Sequence, residues 1–257
     1  MSSEPPSYEP QHSPLEPGAG AEAAGARIGG FARLFNVFTS PGEVFADIAR
    51  KPTWVWCLVL TTLLAVGAQL AAIPHVDMEA TIRARMAERS TEISDEQMDT
   101  ILQRADKIAY VGPIASVVIV PLAMVILAAI YLLGVKMSGS DTDFLHTFSA
   151  TLHAYWPSGL VKGILAVVLM QRIGKVPVDE LKELVKSNLG AFLSPDAPKW
   201  LGALASTVDI FNLWAIALLV IGLSVVGGIP RKRAGIVVGV IWVLWIAGKV
   251  GVAFIRH

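Results

Sequence analysis

Cysteine is almost missing from this 257-residue chain: Cys57 stands alone, which excludes an internal disulfide and a cysteine-built metal cluster. Charge is scarce as well. Asp, Glu, Lys and Arg make up 16 % of the residues, against about a quarter in soluble domains. Neither sign is in excess, since 21 basic and 21 acidic side chains cancel to a formal net charge of zero. That balance offers nucleic acid no bulk attraction and rules out an acidic or basic binding tail. A phosphate-cradling loop and a dinucleotide fingerprint behind a strand are missing too. So is the G-x-S-x-G elbow of serine hydrolases, which Gly222-Leu223-Ser224-Val225-Val226-Gly227 misses by one residue. What the chain has is apolar bulk: 54 % hydrophobic residues and a mean hydropathy of +0.58. The fold class expected is an all-α, polytopic membrane protein.

Met1 to Ala26 is rich in Pro, Glu, Ser, Ala and Gly, with only Tyr8 and Leu15 to bury, and reads as a disordered tail. It is not a secretory leader. Glu4 stands where a basic n-region belongs and no apolar h-region follows. Insertion is therefore expected to depend on later segments. Five stretches stay apolar over the roughly 20 residues that a bilayer crossing needs; they run about 54–73, 111–135, 145–170, 209–229 and 234–255. The second carries no charge between Gly112 and Val135, and its Pro121 is tolerable where neighbours satisfy the freed carbonyl. The third contains Pro157 and Lys162. Pro230-Arg231-Lys232-Arg233 joins the last two as a helical hairpin. The organisation expected is a tail at 1–26, an amphipathic interfacial segment at 27–53 and a five-helix membrane domain at 54–257.

Amphipathic helices are expected in the N-terminal segment and in two long loops. Ser40-Pro41-Gly42-Glu43 is written like a capping box with a first-turn proline, opening a helix that ends near Lys51-Pro52. Phe31, Leu34, Phe35, Phe38, Val44, Phe45 and Ile48 give this segment an apolar side suited to the membrane interface. Met78, Ile82 and Met86 recur at four-residue spacing. Ser94-Asp95-Glu96-Gln97 then caps a helix carrying Met98, Ile101, Leu102 and Ala105. A similar pattern of Val178, Leu181, Leu184, Val185 and Phe192 follows Pro177. The basic turn Arg231-Lys232-Arg233 and the pair Arg50-Lys51 fall on one side of a five-span chain, so the positive-inside rule puts the N-terminus in the cytoplasm.

Lys162, Asp209, Asn212 and Gln69 form the candidate polar site. An ionisable group near mid-membrane is costly and turns towards the bundle interior. One reading places Lys162 in a polar cavity, paired with Asp209 at the head of the fourth span. The other has it snorkel, or lie shallow because Pro157 breaks the helix. Gln69, Asn212 and Lys249 read as interhelical hydrogen-bonders or interface anchors. Gly159 with Gly163, and Gly235 with Gly239, are small-xxx-small patterns for close helix packing. Trp54, Trp56 and Trp200 suit interfacial belts, and Trp214, Trp242 and Trp245 suit packing between helices. His153 and Ser158 are turned apart on a helix unless Pro157 kinks it, which disfavours a hydrolase. His146 and His153 share a face with only Asp143 near them, so neither a metal site nor a cofactor is expected.

Phe35-Asn36-Val37-Phe38-Thr39-Ser40-Pro41-Gly42-Glu43-Val44-Phe45 leads through Lys51-Pro52 into a Trp-rich first span. Gly112-Pro113 opens the second, and Phe144 with Ala154-Tyr155-Trp156-Pro157 marks the third. Asp209-Ile210-Phe211-Asn212-Leu213-Trp214 then runs into Ile221-Gly222-Leu223-Ser224. In this order the motifs resemble bacterial members of the Yip domain family, that of the eukaryotic Ypt/Rab-interacting proteins, over roughly residues 31–255. The resemblance implies a five-helix membrane domain with a cytoplasmic N-terminus. Eukaryotic relatives are linked to Rab-type GTPases and vesicle trafficking. Their Asp-Leu-Tyr-Gly-Pro signature stands here only as Ala109-Tyr110-Val111-Gly112-Pro113, so no Rab-type GTPase is expected as a partner. No residue inherits a catalytic role.

The function expected is therefore a non-enzymatic scaffold or membrane-organising protein of the bacterial cytoplasmic (inner) membrane. Its expected partners are the lipid bilayer and other membrane proteins or a second copy. The alternative is a small transporter or permease subunit using the Lys162 region. An intramembrane hydrolase built on Ser158 and His153 comes third.

Overall fold

The computed structural model describes residues 28–88, 94–194 and 197–255, so the tail expected at 1–26 lies outside the described residues. Two short helices come first, α1 (Arg33–Thr39) and α2 (Pro41–Arg50), followed by the long α3 (Val55–Ala72). The hairpin α4 (Met78–Glu88) and α5 (Asp95–Ile108) precedes α6 (Val111–Met137) and α7 (Phe144–Met170). Two short helices, α8 (Val178–Lys182) and α9 (Lys199–Ala205), lead to α10 (Ile210–Gly227) and α11 (Arg231–Ile255). Among the described residues, five helices are long and apolar enough to cross a membrane: Val55–His75, Val111–Met137, Phe144–Met170, Ile210–Gly227 and Arg231–Ile255. Among the described residues there is no strand; two isolated bridges, Val76 to Val176 and Asn188 to Asp209, tie loops together. The protein is all-α and polytopic.

α6 and α7 run unbroken through Pro121 and Pro157. In hydrocarbon the alternative to a helix is a row of peptide groups without partners, so losing one bond does not end it. α7 and α10 pack on each other at the centre; α3 and α6 cover α7, and α11 covers α10. α7 is the least apolar of the five spans, yet every residue from Thr147 to Ala154 is buried. Three of its polar groups turn back on their own helix, while Ser149 Oγ and His153 Nε2 are buried without a partner among the described residues. Thr147 and Thr151 donate to the carbonyls of Asp143 and Thr147, and His153 Nδ1 sits 2.8 Å from Ser149 O.

The apolar side of α1 and α2 is covered by the bundle. Leu34, Val37, Val44, Phe45 and Ile48 are fully buried against α7 and α10. Trp156 Nε1–H donates to Leu34 O at 3.0 Å. Phe45 rests on α10 at Gly222, where a Cβ would come within 2.8 Å of the ring. Of these aromatics only Phe31 and Phe35 keep their rings outside, edge to face.

The caps differ from one another. The Ser40 hydroxyl makes no capping bond, so the box expected there does not form, and α2 starts on Pro41 alone. Ser94 and Gln97 do form one, with Gln97 N–H on Ser94 Oγ at 3.3 Å and Ser94 N–H on Gln97 Oε1 at 3.0 Å. After Pro177 the expected amphipathic helix stops at Lys182, and only Leu189–Phe192 adds a 3₁₀ turn. Leu189 N–H on Val208 O and Ile210 N–H on Ser187 O, each 3.1 Å, tie this stretch to the chain entering α10.

α10 ends at Gly228, whose φ of +60° only glycine adopts without cost, and Ile229 N–H closes back on Ser224 O at 3.1 Å. Arg231-Lys232-Arg233 forms the first turn of α11 and is not a loop. Arg233 Nη1 donates to Ser138 O at 3.2 Å, at the carbonyl end of α6. The two short turns and the α1–α2 pair thus share one end of the bundle. At the other end the long loops are joined by Asp77 N–H to Val176 O at 2.8 Å and Val176 N–H to His75 O at 2.9 Å.

Candidate functional site

At the long-loop end, α7 and the start of α10 bring two of the candidate residues together. Lys162 Nζ lies 2.8 Å from Asp209 Oδ2, and Ser187 Oγ donates to the same oxygen at 2.6 Å. Asp209 Oδ1 accepts the N–H groups of Phe211 and Asn212 at 2.8 and 3.3 Å, which caps α10. Asp209 is 1 % exposed, whereas the Lys162 side chain keeps 41 % of its surface open and its ammonium stands 5.8 Å from the Phe211 ring centre. Burial pushes the Asp209 carboxyl up, but hydrogen bonds from Lys162, Ser187 and Phe211 N–H outweigh it and hold the group below the usual carboxylate range. Such a carboxylate pins a helix start to a loop and a neighbouring span.

Asn212 and Gln69 stand elsewhere. Gln69 Nε2 donates to Ser116 Oγ at 2.7 Å, bridging α3 and α6. Asn212 lines a cavity of about 590 Å³ between α6, α7, α10 and α11, together with Tyr131, Tyr155, Ile216, Trp242 and Trp245. The two tyrosine hydroxyls meet at 3.4 Å. Lys249 Nζ donates to Ser206 Oγ at 2.7 Å and stands 5.4 Å from the Trp245 ring centre.

The glycine patterns divide. A Cβ on Gly163 would meet Leu64 at 3.2 Å and one on Gly235 would touch Val220 at 3.9 Å, but Gly159 and Gly239 have nothing within 4 Å. Those two positions carry no close packing, which corrects the small-xxx-small reading. The tight approaches are Gly134 against Val237 and Gly222 against Phe45, at 2.5 and 2.8 Å. Neither sits in a four-residue glycine pattern, so spacing alone did not reveal them.

Ser158 Oγ donates to Tyr155 O at 3.1 Å, and His153 Nδ1 is engaged one turn back; the two side chains do not bond each other. His146 Nδ1 lies 2.9 Å from Asp143 Oδ1, a carboxyl that the His146 backbone N–H holds below its usual range. Among the described residues, no three His, Cys, Asp or Glu side chains are grouped to hold a metal ion.

Sequence reading missed the most buried charge pair. Arg33 reaches Asp47 Oδ2 through Nη2 at 2.7 Å and Nε at 3.0 Å, and Nη1 donates to Lys51 O and Thr53 Oγ1. One signal was available. Asp47 follows Val44 by three residues and precedes Ile48, so it belongs to the buried face of α2.

The Yip1 domain family model matches residues 35–252. The chain is also similar to the Membrane protein YknW of Bacillus subtilis (strain 168). The two are 31 % identical over 211 residues, covering 79 % of this chain and 82 % of that protein. No solved structure matches.

Proposed function

Because this chain belongs to the Yip1 domain family, we propose that it is a non-enzymatic scaffold of the bacterial cytoplasmic membrane, with its N-terminus in the cytoplasm. It holds other membrane proteins, or further copies of itself, against its spans. The observation that carries this reading is the use of its ionisable groups inside the fold. Lys162 closes on Asp209 and Arg33 on Asp47, so each joins two elements of the structure. Meanwhile α6 and α11 turn long apolar faces outward, through Ile114, Val118 and Leu133 on one and Ile236, Val240 and Leu244 on the other. Such faces accept lipid or a partner helix equally well. Arg50, Lys51, Lys136 and Arg231 to Arg233 gather at the end that holds α1 and α2, which supports the cytoplasmic side for that end.

The transporter alternative gains less from the geometry, since Lys162 is held by a carboxylate and does not line the 590 Å³ cavity. Photoreactive residues placed on the outer faces of α6 and α11 in native membranes provide the test. The scaffold reading expects reproducible adducts with particular membrane proteins or with a second copy. Adducts with lipid alone, together with a lone monomer in mild detergent, would overturn it.

A further inference from the structure

The cavity between α6, α7, α10 and α11 has a chemistry that the scaffold reading does not use. Its volume of about 590 Å³ falls within the roughly 300–1,000 Å³ of small-molecule sites. Among the described residues no charged side chain lines it; its walls are aliphatic and aromatic, with the Tyr131 and Tyr155 hydroxyls, the Asn212 amide and the indole N–H groups of Trp242 and Trp245 as its polar groups, that of Trp242 buried without a partner. At its mouth Leu244 and Trp245 of α11 and Ile130 of α6 are exposed. All three belong to helices that cross the membrane, so the crevice opens sideways onto hydrocarbon. What enters from there is a lipid chain.

The rim supplies the other half of the specificity. Lys249 follows Trp245 by one helical turn and its ammonium stands over that ring, at the edge of the crevice. Its depth suits a headgroup, because it lies six residues before the end of α11, where the short loop helix α9 packs. Lys162, at the same end, is neutralised by Asp209. Lys249 is bonded only to the neutral Ser206 hydroxyl, and among the described residues no carboxylate lies within ion-pair distance of it. Glu183 is felt only at longer range. A cation without a carboxylate partner, set above an apolar slot, complements a molecule with an anionic head and an apolar chain.

We propose that this crevice binds one acyl chain of an anionic phospholipid, with the phosphate held by Lys249. Asn212 stands near the same level, three residues past the Asp209 cap, and offers its amide to an ester carbonyl of the bound chain.

Native mass spectrometry of the full chain in mild detergent tests this, with phosphatidylglycerol, phosphatidylcholine and inorganic phosphate as separate probes. The expected result is one retained phosphatidylglycerol per chain, weaker retention of phosphatidylcholine and no inorganic phosphate adduct. Lys249→Gln should lower phosphatidylglycerol affinity about fivefold, the scale of one lysine near an anionic surface, and Lys249→Arg should restore it. Ile216→Trp, which fills the crevice, should remove both lipids, and Lys232→Gln at the opposite end should change neither. Slow maleimide labelling of the buried Cys57 verifies that each variant is folded, and Ile216→Phe replaces the tryptophan variant if that one is not. Equal retention of both lipids, wild-type affinity in Lys249→Gln, or binding of inorganic phosphate as strong as that of lipid would each overturn the proposal. Partner capture by α6 and α11 is read separately, so the scaffold reading and this one fail independently.

Discussion

Arg33 and Asp47 are buried to 0 % and 1 % exposure, yet both carry charge in a segment that packs like a core. Taking two ions from water offsets most of their attraction, so such a pair adds little to stability compared with apolar residues of similar shape. Removing one partner is different, because it strands the other. The guanidinium also collects Lys51 O and Thr53 Oγ1, joining α1, α2 and the entry to α3 in a single knot. Asp47→Ala should therefore cost about 3–5 kcal/mol, whereas the double change Arg33→Met with Asp47→Leu should cost much less. Thermal unfolding in detergent, followed by labelling of Cys57, measures both; a single variant as stable as the parent would refute this account. Lys162 and Asp209 stood out in the sequence because each interrupts or borders an apolar run. Arg33 and Asp47 lie among other charges, 14 residues apart across a turn, where nothing local announces a pair.

At the scale of elements, α2 shows what a hydrophobic stripe leaves undecided. The sequence shows that Val44, Phe45 and Ile48 share a side, but membrane interface and protein bury that side equally well. Gly222 settles the choice by opening α10 to the Phe45 ring. Gly222→Val would set new atoms into that ring and force α2 away, at about 1–3 kcal/mol. Pairing it with Phe45→Leu should recover part of the loss. Hydrogen exchange gives the readout: α2 amides should lose protection while those of α11 keep theirs, and unchanged α2 protection would sink the claim. The stretch after Pro177 is the opposite case. Its apolar residues recur at helical spacing, but hydrogen bonds to the chain before α10 tie the backbone beyond Lys182 into turns and a 3₁₀ segment. Long-range backbone pairing overrode local periodicity there, and no window of sequence contains both partners.

For the whole molecule, zero net charge is a sum over unlike ends. Arg231-Lys232-Arg233 and Arg50-Lys51 stand at the end with the short connections, where Asp141 and Asp143 partly offset them, and charges of both signs spread through the long loops. In a bundle that crosses a membrane, those ends face different compartments. On a Cys57→Ala background, Lys107→Cys should react with an impermeant maleimide in intact cells, and Lys232→Cys only after permeabilisation; the reverse pattern would invert the proposed orientation.

The helical class and the five long apolar helices were legible in the amino acids alone, because a peptide group in hydrocarbon has no partner except in its own helix. A run of about 20 apolar residues then has one outcome. Which helices are central, which charges meet and where a crevice opens depend on packing between segments far apart in the chain. Hydropathy compares side chains with water, and inside a membrane lipid and protein are nearly equivalent surroundings. So α6, the most apolar span, faces outward along much of its length, while the first half of α7, the least apolar, is enclosed by its neighbours.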